Sequence, residues 1–161
     1  IRPGANANNF RKFKLSHVIL WLAECEAEDG SLHQATVLVN LIRNRIKGSD
    51  IVRFSNGTPA ANYKVEPYPV DFATKEEART AIRHEERLEF ALEGNRFFDL
   101  VRWGIAGPVL NKYLSVDGQI IPSLKDKAFV VGQHEIRPIP QAQIDLSKKN
   151  GQSVLTQNPG Y

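Results

Sequence analysis

A charged helical segment around Glu85 constrains the fold of this chain more than any other feature. At about 100 degrees per residue, one face of the helix carries an apolar stripe. Its members are Ala78, Ala81, Ile82, Leu88 and Leu92. Glu85 and Glu89 project from the middle of that stripe, and buried carboxylates are tolerated only when they are paired and hydrogen-bonded. The sequence therefore predicts a helix that directs two carboxylates toward a core and needs cationic partners there.

Arginines that could hold these carboxylates follow closely in the sequence. A guanidinium group can hold a carboxylate at two points. Because like charges occupy the i,i+4 rows of this helix, the partners must lie on other elements. We interpret the segment as a structural ionic network without a catalytic role. Its members are Glu85, Arg87, Glu89, Glu93, Arg96, Asp99 and Arg102.

Helical periodicity and capping residues predict a mostly α fold with long loops. Residues 16–48 should form a helical hairpin, with Ser16 as the N-cap of its first helix and Gly30 at its end. Ser31 and Gln34 form a capping box for the second helix. That helix keeps its apolar spacing until Gly48.

The remainder of the chain divides into three further parts. Residues 49–73 show no sustained periodicity and are predicted to form a long loop that is a candidate for function. Residues 74–104 should contain one helix, which begins at a capping box of Thr74 and Glu77 and ends at Gly94, and a short helix from Phe97 to Trp103. Residues 105–161 are predicted to be mainly loop packed on helices.

Composition narrows the classes of function. The 161 residues are 42% hydrophobic and 24% charged, as in a single globular domain. The net charge of +3 comes from interleaved acids and bases, which does not favour nucleic acid as a partner. The single Cys25 excludes an internal disulfide and the paired-cysteine metal sites.

Catalytic and metal sites find little support in the motifs. The histidines lack ligand spacing, so we expect neither a metal nor a cofactor. They are His17, His33, His84 and His134. Glu85 and Glu89 could act as a glycosidase pair, but nearby arginines should keep both ionised, so this alternative is the least favoured. The chain is predicted not to be an enzyme.

The run from Glu85 to Trp103, EERLEFALEGNRFFDLVRW, resembles the sequence found near the C-terminus of SusD/RagB-family proteins. Pro138-Ile139-Pro140 and the closing Gln157-Asn158-Pro159-Gly160-Tyr161 are also similar to that family, as are, more weakly, Leu22-Ala23-Glu24 and Asn40 to Arg45. Glu86 departs from the pattern, because members usually carry a base there. The resemblance covers nearly the whole chain.

This resemblance implies a SusD-like C-terminal region with a tetratricopeptide-like hairpin. It also implies a surface-exposed outer-membrane protein of Bacteroidetes-type bacteria, which captures oligosaccharide and delivers it to a TonB-dependent transporter without catalysis. Relatives are longer, so we expect the N-terminal part to be absent from this sequence. Membrane contact would come only through a lipid anchor on that part. The alternative is a helical protein-interaction scaffold without its own glycan site.

The long loop has the composition of a sugar-binding surface. Aromatic faces stack on pyranose rings, and amides hydrogen-bond to hydroxyl groups. The candidate ligand-binding residues are Phe54, Asn56, Asn62, Tyr63 and Tyr68. The competing interpretation is that these aromatics anchor the loop to the domain. Trp103 is expected to pack in the core rather than on a sugar.

Overall fold

The computed structural model describes residues 12–161, and these residues are mostly helical. The helices are α1 (Leu15–Asp29), α2 (Leu32–Lys47), α3 (Lys75–Glu89), α4 (Arg96–Arg102), α5 (Ala106–Asp117), a 3-10 turn (Pro122–Leu124) and α6 (Gln141–Leu146). No β-strand occurs in this range; two isolated bridges are the only β pairing there. The predicted mostly α class is therefore confirmed.

The described residues divide into two compact units, 12–91 and 92–161. In the first unit, α1 and α2 form the predicted hairpin and both pack against α3. The hydrophobic core of this unit lies among the three helices and includes Leu20, Val39 and Ile82, all fully buried. Ser31 is the N-cap of α2 as predicted, since its side chain accepts a hydrogen bond from the backbone N–H of Gln34. The return bond of the predicted capping box does not form, because the Ser31 N–H donates to Glu26 Oε2 at 3.0 Å instead.

The first helix begins earlier than the sequence predicts. Lys14 is the N-cap of α1, and its backbone N–H donates to His17 Nδ1 at 3.0 Å. Ser16, the predicted cap, lies within the first turn and is buried. The prediction failed because a hydroxyl residue was preferred as the cap. At this helix start, the side chain three positions along, His17, instead accepts the backbone N–H of the cap residue Lys14.

The third helix ends earlier than predicted, at Glu89 instead of near Gly94. Phe90 leaves helical geometry and packs flat on His17, with ring centroids 3.8 Å apart and an interplanar angle of 2°. Leu92 then adopts a φ of 65° and is fully exposed. Leu88 is also exposed, so the apolar stripe predicted through residues 88 and 92 does not form.

The second unit contains more helix than the sequence analysis predicts. The short helix α4 lies one residue before its predicted position, and α5 and α6 fall in residues 105–161, which were predicted to be mainly loop. Pro108 lies in the first turn of α5, and a proline in a sequence usually indicates the interruption of a helix. A proline is tolerated there because the first N–H groups of a helix have no internal acceptor.

Candidate functional site

An extended segment, residues 64–72, lies along α2, and we call it the strap. Polar side chains of α2 at helical spacing, the polar row, hold it in place. The row consists of His33, Thr36, Asn40, Arg43 and Lys47. Its spacing of three or four residues puts all five on one face of the helix.

The polar row holds the strap mainly by its backbone. The side-chain amide of Asn40 accepts from the N–H of Tyr68 at 2.8 Å and donates to its carbonyl at 2.9 Å. The hydroxyl of Thr36 accepts from the N–H of Phe72 at 3.0 Å. The ends are held by side chains: His33 contacts Asp71 at 2.9 Å, and Lys47 contacts Glu66 at 2.5 Å.

Arg43 connects the strap to α3. Its guanidinium group donates to Glu85 Oε2 at 2.8 Å and to the carbonyl of Glu66 at 2.7 Å. It also lies over the ring of Tyr68, 5.0 Å from the centroid. The Glu85 side chain is 2% exposed and that of Arg43 is 13% exposed. A buried carboxylate on α3 thus fixes an arginine that contacts both the strap and its aromatic residue.

The second carboxylate of α3, Glu89, pairs with residues from both hairpin helices. Arg45 lies 2.7 Å and Lys14 3.7 Å from its carboxylate oxygens. Burial alone would raise the pKa of Glu89, but the Arg45 hydrogen bond, together with Ser16 and Lys14, outweighs burial and leaves the pKa below its ordinary value. Glu89 therefore remains ionised at neutral pH.

A surface groove of about 520 Å³ runs beside the strap. Its lining residues are Tyr68, Thr74, Glu76, Glu77, Thr80, Ala81 and His84. Glu76, Thr80 and His84 form one i,i+4 row of α3, and Tyr68 comes from the strap. Burial raises the pKa of Tyr68 above its ordinary value. Its hydroxyl, which is neutral at physiological pH in any case, can donate a hydrogen bond. The groove has the volume of a small-ligand site.

The five predicted ligand-binding residues fall into two places. Phe54 and Asn56 lie in a tight turn in which the Phe54 N–H donates to the Thr58 carbonyl at 2.9 Å, and Asn56 Oδ1 accepts from the Thr58 N–H. Tyr63 is tied to this turn, since its hydroxyl donates to the Val52 carbonyl at 3.3 Å. Asn62, like these three, is exposed. Of the five, Tyr68 alone lines the groove.

The predicted ionic network is distributed differently from the sequence interpretation. Arg43 and Arg45 of α2 hold Glu85 and Glu89, whereas Arg87 is exposed and forms no ion pair within residues 12–161. The reason is geometric, because residues 85 and 89 face the hairpin and residue 87 lies about 200 degrees around the helix from residue 85.

In the second unit, two of the remaining members of the predicted network, Arg96 and Arg102, lie against Trp103. Arg102 Nε pairs with Asp99 at 3.1 Å, and Glu93 is exposed. The guanidinium carbons of Arg102 and Arg96 lie 5.0 and 5.6 Å from the centroid of the Trp103 ring. Trp103 is half-buried. Arginine stacking therefore accompanies its packing.

The two C-terminal motifs contact each other within the second unit. Gln157 Oε1 accepts from the N–H of Ile139 at 2.7 Å, and its amide nitrogen donates to the Ile139 carbonyl at 2.9 Å. Because prolines flank Ile139, its N–H is the sole backbone donor of the Pro138-Ile139-Pro140 motif. Asn158 extends the contact by donating to the Arg137 carbonyl at 2.6 Å.

Across residues 12–161, no group of three or more His, Cys, Asp or Glu side chains is arranged to hold a metal ion. The same range contains no helix with the length and apolar character needed to span a bilayer. The groove offers an aromatic ring, hydroxyl groups and carboxylates, which can bind a polar ligand by stacking and hydrogen bonding.

A sequence model of the SusD family matches residues 1–161, the whole chain. This chain belongs to the SusD family. Members of the family are glycan-binding proteins of nutrient uptake, not enzymes, and are typically lipoproteins of the outer-membrane surface. The family is associated with TonB-dependent transporters. No curated protein matches the chain significantly.

Sequence reasoning missed the polar row and α3's contribution to the groove. The family-like run from Asn40 to Arg45 contained the signal, since Asn40 and Arg43 are three residues apart on one helical face. The side chains of Asn40 and Arg43 donate to backbone carbonyls of the strap. The sequence could not predict which carbonyls accept, because every residue has one.

Proposed function

We propose that this protein captures oligosaccharides at the cell surface and delivers them to a TonB-dependent outer-membrane transporter without catalysis. The family match over the whole chain is the observation that carries the proposal. The groove beside the strap supports a binding role for this region, because its volume suits a short saccharide.

We assign Tyr68 as the central ligand contact of this region. Its ring can stack on a pyranose ring, while the hydroxyls of Thr74 and Thr80 and the imidazole of His84 can bond to sugar hydroxyl groups. Phe54, Asn56, Asn62 and Tyr63 would form an outer contact surface for a longer chain. Glu85 and Glu89 have a structural role, since each is bonded to an arginine of α2.

The capture step is tested by calorimetry with a panel of oligosaccharides, followed by mass spectrometry of the ligand after incubation. We expect saturable binding and an unchanged ligand mass. Tyr68→Leu should weaken binding at least tenfold, since stacking of a ring in a binding site is worth about 1.4 kcal/mol or more. Because Asn40 holds the backbone of Tyr68, this substitution leaves the strap attached.

The matched control is Tyr113→Leu, which removes a half-exposed tyrosine of α5 in the second unit. It should bind like the wild type, and thermal melting should show that both variants are folded. Release of shorter saccharides that is abolished by Glu89→Gln would favour a glycosidase instead. Equal binding by the wild type, Tyr68→Leu and Tyr113→Leu would show that Tyr68 does not contact the ligand.

A protein-interaction scaffold is favoured by one observation on α1. Leu15, Val18 and Leu22 are 74%, 54% and 47% exposed, and they share one face of the helix. Such an apolar row can bind another protein. Capture of the purified transporter in the absence of glycan, lost in Leu22→Asp and retained in Tyr68→Leu, would support this function.

A further inference from the structure

The fixed charges that line the groove are acidic. Its seven lining residues include Glu76 and Glu77, but neither a lysine nor an arginine. The protein as a whole has a net charge of +3. The groove is therefore lined by negative charge, although the protein carries a net positive charge. Attraction to the net charge of the protein would favour anionic ligands, whereas the groove favours cationic ones.

Local hydrogen bonds fix the position of Glu77, which lines the groove. Its Oε2 accepts from the backbone N–H of Ala73 at 2.9 Å, and its own N–H is capped by the Thr74 hydroxyl at 3.1 Å. No ion pair with Glu77 forms within residues 12–161. Glu77 lines the same groove as Tyr68, and its negative charge, after burial and alongside Glu85, contributes to the raised pKa of that hydroxyl.

The neighbouring charges are compensated elsewhere. Glu76 lies 3.3 Å from Arg79, which also makes a two-point contact with Glu28 at 2.5 and 2.6 Å. Arg43 lies over the Tyr68 ring, but its charge is paired with Glu85. Among residues 12–161, Glu77 is therefore the groove carboxylate that has no ion-pair partner, and it lines the groove together with an aromatic ring.

We propose that the groove selects a glycan unit that carries a protonated amine, and that it discriminates against uronic acids and sulfated sugars. This inference rests on the proposed function. An ammonium group is bound by a carboxylate at hydrogen-bonding distance and by the face of an aromatic ring, and the groove combines Glu77 with Tyr68 for this purpose. The remaining hydroxyl groups of the sugar would bond to Thr74, Thr80 and His84.

The test compares β-1,4-linked hexamers that differ only in charge, measured by calorimetry at a mildly acidic pH with low salt. The probes are the glucosamine hexamer, the glucose hexamer and the glucuronate hexamer, all with the same β-1,4 linkage. We expect the glucosamine hexamer to bind roughly fivefold or more tightly than the glucose hexamer. The uronate should bind more weakly than both, and added salt should reduce the preference.

Glu77→Gln is the decisive variant, because a glutamine oxygen can still accept from Ala73 and the fold is retained. It should bring the affinities for the glucosamine and glucose hexamers to within about twofold of each other. The matched control is Glu135→Gln in the second unit, where Glu135 likewise accepts from a backbone N–H, that of Gly132 at 2.8 Å. The control should keep the wild-type preference.

The outcomes separate this inference from the proposed function. If glucose and glucosamine hexamers bind equally and Tyr68→Leu weakens both, glycan capture stands and the charge selection is overturned. If the preference persists in Glu77→Gln, the groove carboxylate is not its source, and the inference is likewise overturned. If no saccharide of any charge class binds, the proposed function itself fails.

Discussion

The two units hold extended segments with the same kind of bond but in different surroundings. In residues 12–91, Asn40 holds the backbone of Tyr68 beside a core of three helices. In residues 92–161, Asn111 holds Phe129 in the same way, with bonds of 3.0 and 2.7 Å, but the surroundings are largely exposed. An asparagine amide thus replaces the pairing that a neighbouring strand would provide.

This comparison shows what each unit depends on. Burial of apolar side chains stabilises the first unit, in which Arg43 also pairs with the buried Glu85. The polar row fixes the position of the strap. The second unit buries few large apolar side chains, mainly Leu100 and Ile144. Its irregular segments rely instead on side-chain amides such as Asn111 and Gln157.

The largest effect should come from Arg43→Ala in the first unit. The substitution leaves Glu85 buried without its partner and releases the carbonyl of Glu66. Breaking a buried ion pair by removing one partner costs about 3–5 kcal/mol. Chemical denaturation should show this loss in the free energy of unfolding.

Arg87→Ala is the matched control for the ionic network. Arg87 is exposed, so its loss should change the free energy of unfolding by about 0.5 kcal/mol or less. A loss as large as that of Arg43→Ala would show that the network is the one interpreted from the sequence, with Arg87 as a member.

An intermediate effect is expected from the two asparagines. Asn40→Ala leaves a partly buried N–H and carbonyl of Tyr68 without bonds and should cost about 1–3 kcal/mol. Asn111→Ala releases exposed groups of Phe129 that water can satisfy, and should cost about 0.5–1.5 kcal/mol. Urea titration measures both, with amide exchange at residues 68 and 129 reporting each release. Equal costs would mean that the two surroundings do not differ as described.

The smallest effect should be the pH dependence contributed by Glu89. Its pKa in the folded state lies below the ordinary 4.5, so its stabilisation is present above that pH and is lost as the pH falls through the folded-state pKa. Because Arg45 is 55% exposed, the contribution is about 1 kcal/mol or less. Unfolding free energies from about pH 5 to about pH 3 should fall less steeply in Glu89→Gln than in the wild type. A parallel fall in both proteins would contradict the assignment.

How far the sequence predicts the molecule depends on whether the interactions are local. The hairpin and the start of α3 follow from caps and apolar spacing, and both are confirmed at Ser31 and Thr74. The end of α3 was mispredicted because stacking of Phe90 on His17 joins residues far apart in sequence. Tyr68 was selected for its aromatic ring, but its neighbours Glu77 and His84 come from another element and had no local signal.

The most direct test of the central claim is an NMR titration of the 15N-labelled protein with a binding oligosaccharide. We predict amide shifts that centre on Tyr68, Thr80 and His84, with smaller shifts near Phe54 and Tyr63. The amides of residues 92–161 should stay close to their free positions. Shifts confined to residues 92–161, with the groove unchanged by a saturating ligand, would contradict the assignment of glycan capture to the groove.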